Sequence, residues 1–215
     1  MPLDCVLTPV ESTLEVPVLI AALPTGIAGC CWRDGERVVL WVNGTHAPVR
    51  QRFTLAHELG HLRCGHDGAM PVETFTTLGG KATDSREVQA NAFAAELLAP
   101  AAGIKAMVDG IEPRLDDVVR IAAAHGISTV AALYRLNSFG LTCRYEELAT
   151  AIGNGEHDAV WDRLDVQPAA DGIAAIDRDG LPWLSAALRD SALAAWLVGG
   201  CPRPRLLIPR DATRR

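Results

Sequence analysis

Residues 57–61 read His57-Glu58-Leu59-Gly60-His61. An α-helix turns about 100° per residue, so positions four apart share one face, one turn apart. Two imidazoles placed that way can bind one Zn²⁺ through nitrogen and leave room for a third ligand and a water. Glu58 is one residue further round, beside that water instead of on the metal. A carboxylate there can take a proton from the attacking water and pass it to a leaving nitrogen. The chemistry implied is peptide hydrolysis, provided that a third ligand is supplied from elsewhere.

Glu87 and Glu96 are the acidic residues of the next helical stretch. Nine residues separate them, about two and a half turns, so they point to opposite faces and cannot both reach the metal. Glu87 sits in the first turn, next to the preceding loop. Asn91 lies one turn later on the same face, placed to hydrogen-bond a ligand's second nitrogen or the Glu87 carboxylate. Glu96 lies among Phe93, Leu97 and Leu98 and reads as a salt-bridge or capping partner. An electrophilic donor for a developing oxyanion is also needed. Tyr134, Arg135 and His66 are the candidates, and spacing does not choose among them. Cys64 reads as a small buried helix-end residue, Arg50 and Arg52 as structural salt-bridge partners, and His46, His125 and His157 as surface or capping histidines.

The elements that must position these residues are legible in outline. Ala28–Trp32 and Arg37–Val42 suit strands, and Arg33-Asp34-Gly35-Glu36 between them carries an Asp-Gly turn signal. Pro48 opens a helical stretch running to about Cys64. Gly65–Gly80 reads as loop. A second helix runs to about Leu98, capped by Asp84 or Ser85 and stopped before Pro100. Leu115–Ala124 and Ser128–Asn137 read as a helix pair joined at His125-Gly126. Beyond about Ala149, Gly153-Asn154-Gly155 and Asp165–Gly172 have linker composition. A small hairpin follows (Ile173–Ile176 and Leu181–Leu184), then an alanine-rich helix over Ser185–Val198 and a short strand over Arg205–Ile208.

Composition narrows the classes. The 215 residues are 49% hydrophobic and 21% charged, ordinary for a globular chain. A formal net charge of -6 disfavours a protein that grips nucleic acid. The arginines of the tail, Arg203 to Arg215, read as a solvated end. Val16–Leu23, the most apolar stretch, contains Pro17 and is too short to span a bilayer. Residues 1–10 show no targeting pattern. The six cysteines are scattered, with Cys30 and Cys31 adjacent, which suits reduced thiols in the cytoplasm better than a disulfide framework.

Three phrases together resemble the ImmA/IrrE family of bacterial and phage-borne metallopeptidases. They are Gly26-Ile27-Ala28-Gly29, residues Arg50 to His61, and residues Glu87 to Pro100 (EVQANAFAAELLAP). The resemblance runs from about Leu23 to Leu141 and includes Val130–Leu136. It implies a gluzincin-like α+β fold, a mainly helical zincin-like core with a small antiparallel sheet; the small mixed C-terminal segment read above lies beyond the resemblance, which fades after Tyr145. It implies Zn²⁺ held by His57, His61 and Glu87, with Glu58 as the base. It also implies cleavage of a helix-turn-helix repressor or antitoxin, relieving repression under stress or mobile-element control. Gln89 stands where the family often has a second acidic residue, and Ala99 where methionine is common.

The expected organisation is a metallopeptidase domain over residues 1–148, with a zinc core at about 24–100 and the helix pair at about 113–141. Residues 149–215 form an appendage packed on the core, so that a chain ended near Thr150 should keep its zinc. Neither direct nucleic-acid binding nor membrane association is expected. The alternative function is a zinc-binding regulator or toxin-system component acting by protein association.

Overall fold

In the computed structural model, which describes residues 6, 10, 14–24, 26–34, 37–66, 84–167 and 183–184, the expected hairpin is present as β2 (Gly29–Asp34) and β3 (Arg37–Asn43). Strand β2 runs two residues further into the turn than expected, while β3 begins at Arg37 as expected. Arg33 and Asp34 pair with Val38 and Arg37, and residues 35–36 lie outside the described residues. A further strand, β1 (Val18–Ala21), joins the other side of β3 in parallel, with Val18 opposite Leu40 and Ile20 opposite Val42. Pro17 argues against a strand in the sequence. It stands just before β1, where its carbonyl accepts from Leu40 N at 3.0 Å. Leu181–Leu184 is described only at β4 (Trp183–Leu184), which pairs antiparallel with β1. The order β2-β3-β1-β4 makes the sheet mixed, built on an antiparallel hairpin.

Strand alternation divides this sheet between two faces. Val18, Ile20, Leu40 and Val42 enter the main core, whereas Leu19 and Val39 pack on the opposite side with Trp32 and Trp41. Asn43 then ties the end of β3 to its surroundings. Its Nδ2 donates to Ile27 O at 2.7 Å, and its Oδ1 accepts from Thr45 Oγ1 at 2.8 Å. Gln51 Nε2 donates to Gly44 O and His46 O at 3.1 and 2.7 Å, which sets the next helix against the sheet.

That helix is α1 (Pro48–Arg63), begun by a proline in its first turn, where a missing N–H costs nothing. It is buried on nearly every side between Gln51 and His61, because the sheet covers one flank and α2 (Ser85–Leu98) another. Asp84 caps α2 by accepting from Arg86 N at 2.8 Å. Gly60 lets the two helices close up: a Cβ there would stand 3.0 Å from Ala90 Cα.

The remainder is helical, giving the expected α+β class. A short helix not foreseen in the sequence, α3 (Ala101–Met107), follows Pro100. The expected pair is present as α4 (Leu115–His125) and α5 (Thr129–Ser138), joined at Gly126 in the left-handed conformation with φ 60°. Two more helices not foreseen in the sequence, α6 (Tyr145–Gly153) and α7 (Glu156–Leu164), flank Gly153-Asn154-Gly155, which makes the turn between them instead of a linker. A boundary at 148/149 therefore passes through α6, whose Leu148 and Ile152 both lie in the main core. Trp161 of α7 donates from Nε1 to Thr129 Oγ1 at 3.2 Å. Of the elements expected from the sequence, most of the Gly65–Gly80 loop, the strand over 173–176, the helix over 185–198, the strand over 205–208 and the basic tail fall outside the described residues. Among the described residues no helix is long and apolar enough to cross a membrane.

Candidate metal centre

Helical spacing brings His57 and His61 to one face of α1, and the close approach at Gly60 brings the first turn of α2 opposite them. His57 and His61 are 0% and 2% exposed, and Glu87 is 9% exposed. His57 Nε2 and His61 Nε2 are 3.0 Å apart. Glu87 Oε2 lies 3.3 Å from the first and Oε1 lies 3.4 Å from the second. Ligand atoms around a tetrahedral zinc at about 2.0–2.2 Å stand roughly 3.3–3.6 Å from one another. The three groups thus converge at nearly the spacing that one such ion requires. Among the described residues this is the one group of three or more histidine, cysteine or carboxylate side chains able to hold a metal.

Behind these three groups, Asn91 Oδ1 is 2.9 Å from His57 Nδ1. With Nε2 turned toward Glu87, the ring proton belongs on Nδ1 and is donated to the amide oxygen. His61 has another neighbour, His66, whose Nδ1 is 2.9 Å from His61 Nδ1. His66 Nε2 is in turn 3.1 Å from Gln89 Oε1.

Glu58 is fully buried where α1 passes the start of β2. Gly29 is required for that passage: a Cβ would fall 2.5 Å from Thr54 Cγ2, 2.6 Å from Trp41 O and 3.1 Å from Glu58 Oε1. The negative charge of Glu58 is felt on β2. Burial pushes the Cys31 thiol up to about 11, the Glu58 carboxylate adds to the rise, and Arg33 opposes it. Cys31 is therefore a protonated, inert thiol at neutral pH.

The remaining sequence candidates separate. Arg135 donates from Nε and Nη2 to Ala99 O at 3.0 and 2.7 Å and pairs with Glu96. It also lies over the Phe139 ring at 4.3 Å. That is a helix-to-helix clamp between α2 and α5. Glu96 holds Arg135 and accepts from Ala101 N at 3.1 Å, so it is both a salt-bridge and a capping partner, as its neighbours predicted. Tyr134 is 55% exposed and sits edge-on to Tyr145 with ring centroids 6.1 Å apart. Of the three candidate oxyanion donors, His66 is the one hydrogen-bonded to a metal-site histidine.

Two residues, His125 and Cys64, depart from the expectation. His125 is completely buried instead of lying at the surface, and its Nδ1 donates to Leu98 O at 3.0 Å. Desolvation lowers its pKa, with the hydrogen bond to Leu98 opposing the shift. Arg52 is 1% exposed, an interior residue. Cys64 is exposed at the end of α1, and Cys30, Cys31, Cys64 and Cys143 are free thiols. The roles of Gly29, Gly60 and Gln89 escaped the sequence reading. Nothing in the spacing of these residues signals what each one touches.

Comparison with known proteins agrees with this arrangement. Residues 21–137 match the family model Peptidase M78, described as the IrrE N-terminal-like domain. The chain is 34% identical over 110 residues to the radiation response metalloprotease IrrE of Deinococcus radiodurans, covering 49% of this chain and 34% of that protein. It is 34% identical over 104 residues to the protein of the same name from Deinococcus deserti, covering 48% and 37%. The chain thus spans about a third of the length of these curated relatives.

Proposed function

This chain belongs to the Peptidase M78 family, the IrrE N-terminal-like domains, and from that premise we propose that it is a zinc-dependent endopeptidase of the cytoplasm that cuts a helix-turn-helix transcriptional repressor or antitoxin. The observation that carries the hydrolytic part is the convergence of His57, His61 and Glu87 beside the buried Glu58. In this reading the three residues hold zinc, which when bound supplies Lewis acidity to a water and to the scissile carbonyl. Glu58 holds the proton released by the water and returns it to the leaving nitrogen. Asn91 keeps the His57 ring in the tautomer that turns Nε2 inward.

The substrate class rests on the family resemblance, and the radiation response named for the two relatives favours a stress-linked regulatory role. Residues 149–215 serve as an appendage that packs on the core and limits which protein is cut. The core contacts of Ile152 and Trp161 support that placement. The test is to incubate the purified chain with the product of a neighbouring helix-turn-helix gene. Cleavage should require zinc and should stop in Glu58→Gln while bound zinc stays stoichiometric. A Glu58→Gln protein that keeps the full regulatory effect in cells would replace proteolysis with regulation by binding.

A further inference from the structure

The two metal-site histidines are supported from behind in different ways. His57 Nε2 and His61 Nε2 face each other and the Glu87 carboxylate, so each ring directs a lone pair inward and, when neutral, carries its proton on Nδ1. For His57 that proton meets an amide oxygen directly, Asn91 Oδ1. For His61 it meets His66 Nδ1 at 2.9 Å. Two such nitrogens bond only when one bears the hydrogen and the other a lone pair. Since His61 bears it, His66 Nδ1 accepts, and the hydrogen of His66 belongs on Nε2. That atom lies 3.1 Å from Gln89 Oε1, an oxygen that can only accept. The direction of donation is the same at each link, from His61 to His66 to Gln89.

We propose that His66 and Gln89 form a positioning relay that fixes the tautomer and ring orientation of His61. The inference rests on the reading of His57, His61 and Glu87 as metal ligands. Helix geometry explains why a relay is needed. Gln89 is two residues beyond Glu87, about 200° further round α2, and it is exposed, so its amide does not share the face that carries Glu87. His66 bridges the gap. Gly65 turns the chain at the end of α1 with φ 65°, and His66 N donates to His61 O at 3.0 Å, which holds the ring against the helix end. The support of His57 is thus a single link, whereas that of His61 runs through a half-buried ring to a surface amide.

Zinc affinity of the full-length chain, measured by competition with a chromophoric chelator, tests the relay alongside long-range proton–nitrogen NMR of the zinc-loaded imidazoles. Outer partners of metal ligands are typically worth about 10–100-fold in affinity. His66→Ala and Gln89→Ala should each weaken zinc binding by about 10-fold. The double variant should bind no worse than His66→Ala alone, because both changes cut one chain. Gln89→Glu, which keeps an acceptor, should restore affinity to the wild-type value or better. The spectra should place hydrogen on His61 Nδ1 and on His66 Nε2. Alanine variants within twofold of wild type, effects that multiply, or hydrogen on His66 Nδ1 would each overturn the relay. A His57→Ala protein measured in parallel separates the two readings. If wild type binds zinc no better than His57→Ala, the metal site fails and the relay with it. If wild type binds and only the His66 and Gln89 arms are flat, the relay alone fails.

Discussion

Gly60 on α1 lies against Ala90 on α2 so closely that a Cβ on Gly60 would stand 3.0 Å from Ala90 Cα, 3.1 Å from Ala90 O and 3.3 Å from Phe93 Cβ. Two of these neighbours are backbone and cannot rotate away, so any side chain at 60 must separate the helices. Gly60 precedes His61, and Ala90 is one turn beyond Glu87. The contact therefore sets the distance across which the carboxylate meets the two imidazoles. Gly60→Ala should cost about 1–3 kcal/mol as an overpacked site, and Gly60→Val should cost more. Both should weaken zinc binding by a larger factor than an exposed helix substitution such as Val88→Ala. Chelator competition and thermal midpoints check this; unchanged affinity in Gly60→Val would show that α2 does not set the ligand geometry.

Glu87 and Glu96 make a discriminating pair, since both are glutamates of α2 and only Glu87 faces the histidines. Glu87→Ala should abolish stoichiometric zinc in the purified chain. Glu96→Ala should keep it and lose stability instead, because Arg135 and Ala101 N each lose a partner. The loss should be about 1 kcal/mol, modest because the Glu96 carboxylate is largely exposed and screened. Zinc analysis and denaturant titration of the two proteins decide it, and the opposite pattern would reassign the third ligand.

His125 makes stability depend on pH. Its folded-state pKa lies below the ordinary 6.5 because burial disfavours the charged ring. The unfolded chain therefore binds this proton more readily than the folded one. Its contribution is complete above about pH 6.5 and is lost as pH falls from there through the depressed folded value. His125→Asn can still donate to Leu98 O but cannot titrate. In the presence of chelator, the thermal midpoint of wild type should fall more steeply between pH 7.5 and 5 than that of His125→Asn, as a pair of melting series would record. Parallel slopes would mean that the buried ring titrates normally.

A chain ended at Thr150 interrupts α6 between Leu148 and Ile152 and removes Val160 and Trp161. At about 1.5–3 kcal/mol for each buried apolar side chain, the loss is roughly 5 kcal/mol, a large share of a typical domain's stability. The sequence reading, which treats residue 150 as lying in an appendage, expects such a chain to keep its zinc. The packing predicts a fall of roughly 10–20 °C in midpoint and weaker zinc retention, with both preserved better in a chain ended after Gln167. Equal midpoints and equal zinc in the two truncations would put the domain boundary at 148/149.

What could be read before the structure was chiefly local. His57, Glu58 and His61 follow from helix periodicity within five residues, and Asn91 from its place one turn after Glu87. The separation of Glu87 from Glu96 is the same arithmetic applied over two and a half turns. Contacts that depend on how elements pack could not be read this way. Nothing in the string marks Gly29 as the residue against which Thr54 and Glu58 close, or Gln89 as the acceptor for His66, 23 positions away. His125, followed by a glycine, looks like a helix-end cap, and its partner Leu98 lies 27 residues earlier. β1 was obscured by Pro17, whose effect on a strand depends on which side of it the proline stands. The helices α6 and α7 were obscured by a Gly-Asn-Gly turn that composition alone does not distinguish from a linker.

Strand β4 brings the order of synthesis into the picture. Leu19 and Ile20 pair with Leu184 and Trp183, whereas the elements carrying the candidate ligands and the three other strands all lie between residues 18 and 98. At about 5–20 residues per second, a ribosome delivers residue 184 roughly 4–17 seconds after residue 98. The histidines and Glu87 close a short loop, while β1 and β4 must close one that spans most of the chain, the slower event of the two. During that interval the outer edge of β1 has no strand beside it and offers unpaired backbone groups to any neighbouring nascent chain. The metal site can thus assemble on a polypeptide whose sheet is still open, and the exposure of that edge ends only when the last described strand arrives.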